Sequence, residues 1–210
     1  MRVEIWSDLI CPWCYIGKRQ FEAALRDFPA APSVEIVWRS FELDPQAPTT
    51  YPGTLNDLLA RKYGASPEQA AEMNARVATA AKAVGLHYDL VHARPGNTFA
   101  AHQLCHLGVE LGLGHSIMEQ LMHGYFTQRL PIGNREALLD AVAAAGMARE
   151  QASAALDQAT YAAAVRADEE RAAALGVRSV PCFVFDGVSA VVGAQPAEAL
   201  LQALRRAAST

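Results

Sequence analysis

Hydrophobic positions near the start of the chain turn from a short apolar run into a helical pattern at residue 11. Val3, Ile5 and the bulky Trp6 mark a short first strand, whereas Tyr15, Ile16, Phe21, Ala24, Leu25 and Phe28 recur at helical spacing until Pro29 stops the helix. "SVEIVWRSF" follows, with Val34, Ile36, Val37 and Trp38 rich in β-branched and aromatic types, and predicts a second strand. The opening is therefore β-α-β.

Residues 41 to 54, "FELDPQAPTTYPGT", hold three prolines and a glycine, and strand character then disappears for more than a hundred residues. That change marks an insertion boundary. Ser66, Pro67 and Gln69 have the form of a capping box with a first-turn proline, opening a helix that ends at Gly85. Ile117, Met118, Leu121, Met122, Tyr125 and Phe126 fall on one helical face, and Asn134 offers an N-cap to "REALLDAVAAAG", closed by Gly146. The middle of the chain reads as a small helical bundle. Strands return at "VPCFVF", residues 180 to 185; Asp186-Gly187 signals a turn and "SAVVGA" a partner strand. Gln195 and Pro196 then supply the cap and first-turn residue of a last amphipathic helix bearing Leu200, Leu201 and Leu204. The alanine-rich stretch from 141 to 175 reflects helix propensity.

Composition narrows the picture. A chain of 210 residues is one domain, or one domain with a large insertion, and buries roughly 70% of its unfolded surface without a disulfide staple. Apolar residues at 51%, charged residues at 19% and a net charge of -4 with no basic stripe make nucleic acid an unexpected partner. No run approaches eighteen uninterrupted apolar residues, so no membrane span is expected. Glu4 and Asp8 lie in an N-terminus without a small-residue cleavage site, which predicts a soluble, cytoplasmic protein. In that compartment four cysteines point to catalysis, metal binding or burial rather than to structural bridges.

The chemistry centres on "SDLICPWCYIGKRQFEAAL". A C-x-x-C motif alone fits a redox couple, half of a metal site or two core residues, but a strand end leading into a helix start is where a redox couple belongs. Cys11 stands where unpaired backbone N–H groups and the helix dipole favour an anionic sulfur. Its thiolate can attack a disulfide, and Cys14, on the same helical face, can resolve the mixed disulfide. Pro12 suits the first turn, and Trp13 offers an aromatic surface beside the site. Pro181 opens a strand to which it cannot donate, so it reads as a cis-proline or an edge position; in cis beside Cys11 it leaves the Val180 backbone open to an extended substrate. Zinc would need a second ligand pair on a matching turn, and none stands out. His102, Cys105 and His106 have helical metal-ligand spacing, with packed or solvent-facing histidines as the alternative. Asp8 reads as a turn cap or a proton-transfer group, and Asn97 as an N-cap to "TFAAHQL".

"CPWC", the β-α-β start, the helical insertion, "GNTFAAHQL" and "GVRSVPCFVF" followed by "VGAQP" resemble the DsbA family and, within it, the FrnE-like oxidoreductases, over essentially the full length. The resemblance implies an α/β thioredoxin fold interrupted by an all-helical insertion domain: a thioredoxin-like domain of residues 1–45 and 160–210, and an insertion of 46–159. It implies Cys11 and Cys14 as the redox pair, Pro181 as the cis-proline beside them, and Asn97 and His102 in the part of the insertion that faces the cleft. Cys182 stands where a threonine or bulky apolar residue is more usual, so it reads either as a third redox thiol or as a core side chain. The expected activity is thiol-disulfide oxidoreduction on a protein or small-molecule disulfide, without a bound cofactor and with glutathione as an eventual co-substrate. A glutathione-dependent isomerase or transferase of the 2-hydroxychromene-2-carboxylate isomerase type shares this architecture, but there a serine usually stands at the position of Cys11. A peptide-binding module without redox activity is a third reading.

Overall fold

The computed structural model describes residues 1–209, with Thr210 outside them. The chain divides into two compact units, one made of Met1–Phe41 and the segment from Arg166 onward, the other of Glu42–Val165. The first is built on a sheet of four strands among the described residues, in the order β2-β1-β3-β4. β1 (Arg2–Ser7) pairs in parallel with β2 (Glu35–Ser40) and antiparallel with β3 (Cys182–Phe185), which pairs antiparallel with β4 (Ser189–Val192).

Strand alternation divides the sheet into two faces with different partners. Val3 and Ile5 of β1 and Phe183 and Phe185 of β3 point to α1 (Pro12–Arg26) and α9 (Ala197–Ala208), where they form one core with Phe21, Ala24, Leu200 and Leu204. Glu4 and Trp6 point the other way, to α8 (Ala162–Ala174). The Trp6 indole Nε1 donates to the Asp168 carbonyl at 2.9 Å. Arg39 of β2 donates to Glu4 at 2.5 Å and to Asp168 at 2.8 Å, while Arg171 reaches the other Glu4 oxygen at 2.6 Å. Burial pushes the Glu4 carboxyl up, but the two guanidiniums outweigh it and hold the carboxyl below the usual range.

Local sequence explains the hairpin. Asp186 and Gly187 both take positive φ, 48° and 73°, as a tight turn between antiparallel strands requires. The Asp186 carboxylate also accepts from Arg2 N at 2.6 Å, tying the turn to the start of β1. The last helix begins differently from the sequence expectation. Pro196 is the N-cap residue itself, not the first helical residue, because Gln195 turns away and donates from Nε2 to the Val192 carbonyl at 3.0 Å. The first helical N–H, that of Ala197, is instead satisfied by Gln20 of α1 at 2.9 Å, a partner far away in sequence.

The second unit is helical. α2 (Leu55–Tyr63) and α3 (Pro67–Ala83) pack together, and each starts with a complete capping box, Thr54 with Asp57 and Ser66 with Gln69. α4 (Phe99–Glu110) packs on α5 (Gly114–Thr127) and on α7 (Arg149–Asp157), and α5 also meets α6 (Arg135–Ala144). The α5 face read from the sequence, Ile117 to Phe126, is buried, and Asn134 caps α6 by accepting from Ala137 N at 2.9 Å. The loop of 42–54 crosses this unit closely. A Cβ on Gly96 or Gly133 would meet the Thr49 carbonyl oxygen at 2.3 or 2.0 Å, so both positions need glycine for backbone contact.

Candidate active site

Cys11 is the N-cap residue of α1, in an extended conformation, and Pro12 follows as the first helical residue, where its missing N–H costs no hydrogen bond. The segment between β1 and α1 is tightly turned: Cys11 N donates to the Asp8 carbonyl at 3.1 Å, and the Asp8 carboxylate accepts a long bond from Ile10 N at 3.5 Å. Asp8 thus shapes the turn that presents Cys11. All four cysteines are free thiols.

The Cys11 thiol donates to the Val180 carbonyl at 3.7 Å, and the peptide bond that follows, Val180–Pro181, is cis. Pro181 is held from the other side by α1, since a Cβ on Gly17 would stand 2.8 Å from Pro181 Cγ. Cys11, Pro12, Val180 and Pro181 are thereby assembled around one sulfur. Cys11 is 4% exposed, while Trp13 beside it is 43% exposed and presents its ring to solvent. Cys14 lies one turn into the helix and is 1% exposed. Burial pushes its thiol well above the ordinary range, the hydrogen bond and charge of Cys11 push it further, and the Ser7 hydroxyl and the Asp8 N–H pull it back only in part. The two thiols therefore differ in setting: Cys11 caps the helix, and Cys14, one turn on, is held toward its protonated form.

Further along the same helix, Lys18 is 1% exposed and donates to Glu22 at 2.5 Å. Arg19 donates to the other Glu22 oxygen at 2.8 Å, and its guanidinium lies 4.9 Å above the Tyr15 ring. Burial raises the Glu22 carboxyl, and these two cations more than reverse it.

Cys182 stands on the other face of the sheet from α1. Its neighbour Phe183 packs on Phe21 of α1, with ring centroids 5.3 Å apart, so alternation turns Cys182 toward the side of Trp6, its cross-strand partner. Burial raises its thiol as well. Of the two sequence readings, this geometry fits the core side chain.

Asn97 and His102 belong to the helical unit. Asn97 Oδ1 accepts from Phe99 N at 2.9 Å, one residue ahead of Thr98, the N-cap of α4, and its Nδ2 donates to Glu42 at 3.4 Å and to the Pro45 carbonyl at 3.5 Å. It fastens the incoming loop to the helix. His102 and Cys105 are buried in α4, and burial pushes the Cys105 thiol up to about 12. The His106 ring stacks on Tyr161 with centroids 6.4 Å apart. Among the described residues no three His, Cys, Asp or Glu side chains are grouped to hold a metal ion, and no helix is long and apolar enough to cross a membrane.

Sequence reasoning overlooked Ser7 and Lys18. Ser7 continues the inward row of Val3 and Ile5, and a hydroxyl at an apolar position just before C-x-x-C was the available signal. Lys18 gave none, because its i,i+4 partner Glu22 makes it look like an ordinary solvated pair.

Residues 2–205 match the family described as the DSBA-like thioredoxin domain. The chain belongs to that family. A probable DsbA oxidoreductase from Streptomyces coelicolor is similar along the whole chain, with 43% identity over 100% of this chain and 90% of that one, and a TM-score of 0.95. Two more distant structures share the fold of this DsbA-like protein. The cytosolic disulfide reductase DsbM from Pseudomonas aeruginosa, solved with GSH, has 16% identity over 100% of both chains and a TM-score of 0.68. A 2-hydroxychromene-2-carboxylate isomerase has 14% identity over 98% of this chain and 95% of that one, with a TM-score of 0.74.

Proposed function

We propose that this DsbA-like protein is a thiol-disulfide oxidoreductase whose electrons pass through Cys11 and Cys14. The observation that carries the proposal is the inequality of the two sulfurs: Cys11 at the helix N-cap against the Val180 carbonyl, Cys14 buried one turn on with its thiol pushed up. The Cys11 thiolate attacks one sulfur of the substrate disulfide, forming a mixed disulfide and releasing the first substrate thiolate, which takes a proton. Cys14 then loses its proton and attacks Cys11 Sγ. The bond from Cys11 to the substrate breaks, its electron pair leaves on the second substrate sulfur, and a Cys11–Cys14 disulfide remains. Two electrons have moved from protein to substrate, and the reverse sequence oxidises a dithiol. Pro12, Trp13, Val180 and Pro181 form the surface that meets the substrate, with the Val180 backbone pairing to an extended chain. No bound cofactor is needed for these steps, and glutathione is the candidate co-substrate that resets the pair.

The test is equilibration of the protein in glutathione buffers of graded ratio, followed by alkylation and mass analysis. The expected result is a reversible loss of two alkylatable thiols, abolished by Cys11→Ser and by Cys14→Ser. A protein that forms no Cys11–Cys14 disulfide at any ratio, and whose Cys11 only captures glutathione, would overturn the reading in favour of glutathione-dependent isomerase or transferase chemistry.

A further inference from the structure

The sheet of the first unit ends at β4, and the outer side of that strand is open among the described residues. β4 pairs with β3 in a register that sets Val184 opposite Ala190 and Cys182 opposite Val192. Gly193 N donates to the Pro181 carbonyl at 2.7 Å just beyond the strand, so by alternation Val191 and Ser189 are the residues that bond to β3. The N–H and carbonyl of Ala190 and the N–H of Val192 therefore point outward. The Val192 carbonyl is already used, accepting from Gln195 Nε2 at 3.0 Å. Beside this edge runs a groove with the buried Cys182 and Val184 at its base and Leu175, Val188, Ala190 and Val192 around it.

An open edge is ordinarily blunted by charge, proline or a bulge, because it otherwise pairs with any extended chain. β2, the edge on the other side of the sheet, carries Glu35 and Arg39. From Val188 to Ala194 no side chain ionises, so two copies of a chain with net charge -4 can bring these strands together without repulsion between them. The segment is also apolar where it is exposed. Val188 is 85% exposed and Val192 51%, and they stand two residues on either side of Ala190. A twofold axis at Ala190 sets each of them against the other.

We infer that β4 is a self-pairing edge: two copies of this chain join antiparallel about a twofold axis at Ala190, giving one continuous sheet of twice four strands. The Ala190 N–H of each copy donates to the Ala190 carbonyl of the other. Val192 of one copy lies opposite Val188 of the other, and the two side chains leave water together. The backbone groups that this register would leave facing each other, Val188 N and the Val192 carbonyl, are already bonded within each copy, Val188 N donating to the Phe185 carbonyl at 3.0 Å. Past the strand, the same axis carries Asp186 of each copy toward Arg178 of the other, which lines the groove. An extended segment of another protein would meet the same open edge, but the symmetric placing of the two valines and this pair of opposite charges favour a second copy. Two strands of four residues cover less than the about 800 Å² per partner of a standard interface, so the dimer is reversible and depends on concentration.

The experiment is sedimentation velocity of the full chain from micromolar to millimolar loading, under reductant so that no disulfide joins the copies, with amide hydrogen exchange read by NMR at both extremes. A monomer that passes to a dimer and no further is the expected result. Where nine-tenths of the chain is dimeric, the Ala190 amide should exchange about tenfold more slowly than in the monomer, while Val191, bonded to β3, is slow in both. Val188→Lys and Val192→Lys each put a charge on the edge and are expected to lose the dimer at an unchanged melting temperature, since both side chains are exposed. If Val192→Lys melts lower, the more exposed Val188→Lys decides. Tyr63→Lys, exposed in the other unit, is expected to associate like the parent. A chain that stays monomeric at every loading overturns the inference, as does a dimer that survives both lysines. Species that keep growing past the dimer would pair β4 of one copy with β2 of the next and overturn the twofold arrangement. An Ala190 amide protected only by an added extended peptide would give the edge to another protein and likewise overturn it.

Discussion

Gly17 shows how one absent side chain places the reactive one. It lies on α1 directly over Pro181, and the proline ring cannot swing aside as a long flexible side chain could. In an ordinary helix interior alanine would gain about 1 kcal/mol over glycine. Here its Cβ would stand 2.8 Å from Pro181 Cγ and 3.5 Å from the Phe183 ring, and overpacking of that kind costs about 1 to 3 kcal/mol. Gly17→Ala is expected to lose about 1 kcal/mol net in urea unfolding. It is also expected to slow the first step of thiol exchange, because Pro181 and the Val180 carbonyl against Cys11 move together; an unchanged exchange rate would detach Gly17 from the site. Cys182 gives the contrasting expectation. Turned away from α1, it is expected to take no part in the proposed couple, so Cys182→Ala should leave the glutathione equilibrium of Cys11 and Cys14 where it is. A shifted equilibrium would restore the third thiol to the mechanism. The C-x-x-C pair and Pro181 were legible in the sequence because their residue types are restricted by chemistry. Gly17 was not, because a glycine inside a helix acquires meaning only from what lies opposite.

At the scale of elements, the apolar faces were the readable part. α5, α9 and the first two strands follow from periodicity, and the α3 and α6 starts follow from their caps, since both signals are local in sequence. The attachment of α8 to the sheet was hidden for the opposite reason: it is polar, and its partners are more than a hundred residues apart. Glu4 accepts from both Arg39 and Arg171, and Asp168 accepts from Arg39 and from Ser40 N. The Glu4 carboxylate is nearly inaccessible, so removing it strands the Arg39 charge in a partly buried position. Glu4→Gln is expected to cost about 3 kcal/mol at neutral pH, at the low end for a broken buried pair because Arg39 keeps Asp168. Arg171→Ala, at the more exposed side of the cluster, should cost only about 1 kcal/mol. The pH dependence follows from the depressed Glu4 carboxyl. Its contribution is fully present above the ordinary value of 4.5 and is lost as pH falls through the lower folded value. Urea unfolding followed by tryptophan fluorescence should therefore show the gap between the parent and Glu4→Gln closing as the pH drops below 4.5. A gap that stays constant would mean that Glu4 contributes by shape alone.

For the whole molecule, the interruption of the first unit was visible as the loss of strand pattern after the proline-rich loop, whereas strand order was not, because pairing partners are set by long-range packing. The two segments of that unit meet where the chain leaves and returns. Ser40 N, one residue before the end of the first segment, donates to Asp168 at 2.9 Å, two residues into the second. The connection between Phe41 and Arg166 therefore needs to span only a short distance, whatever its length in sequence. The core of Val3, Ile5, Phe21, Phe183, Phe185, Leu200 and Leu204 is drawn wholly from these two segments, as is the cluster of Glu4, Arg39, Asp168 and Arg171. Each doubling of a flexible connection costs only about 0.6 kcal/mol, so a short linker closes the unit at least as readily as a long chain does. Replacing Glu42–Val165 by a short Gly/Ser linker is accordingly expected to leave a domain that unfolds cooperatively and still forms the Cys11–Cys14 disulfide in a glutathione buffer. Circular dichroism melting and alkylation mass analysis of that shortened protein decide the matter. A broad, non-cooperative melt would mean that the helical unit is required to fold the other. A cooperative domain that folds but no longer forms the disulfide would place part of the redox chemistry in Glu42–Val165, against the proposed assignment of both reacting sulfurs to the unit that remains.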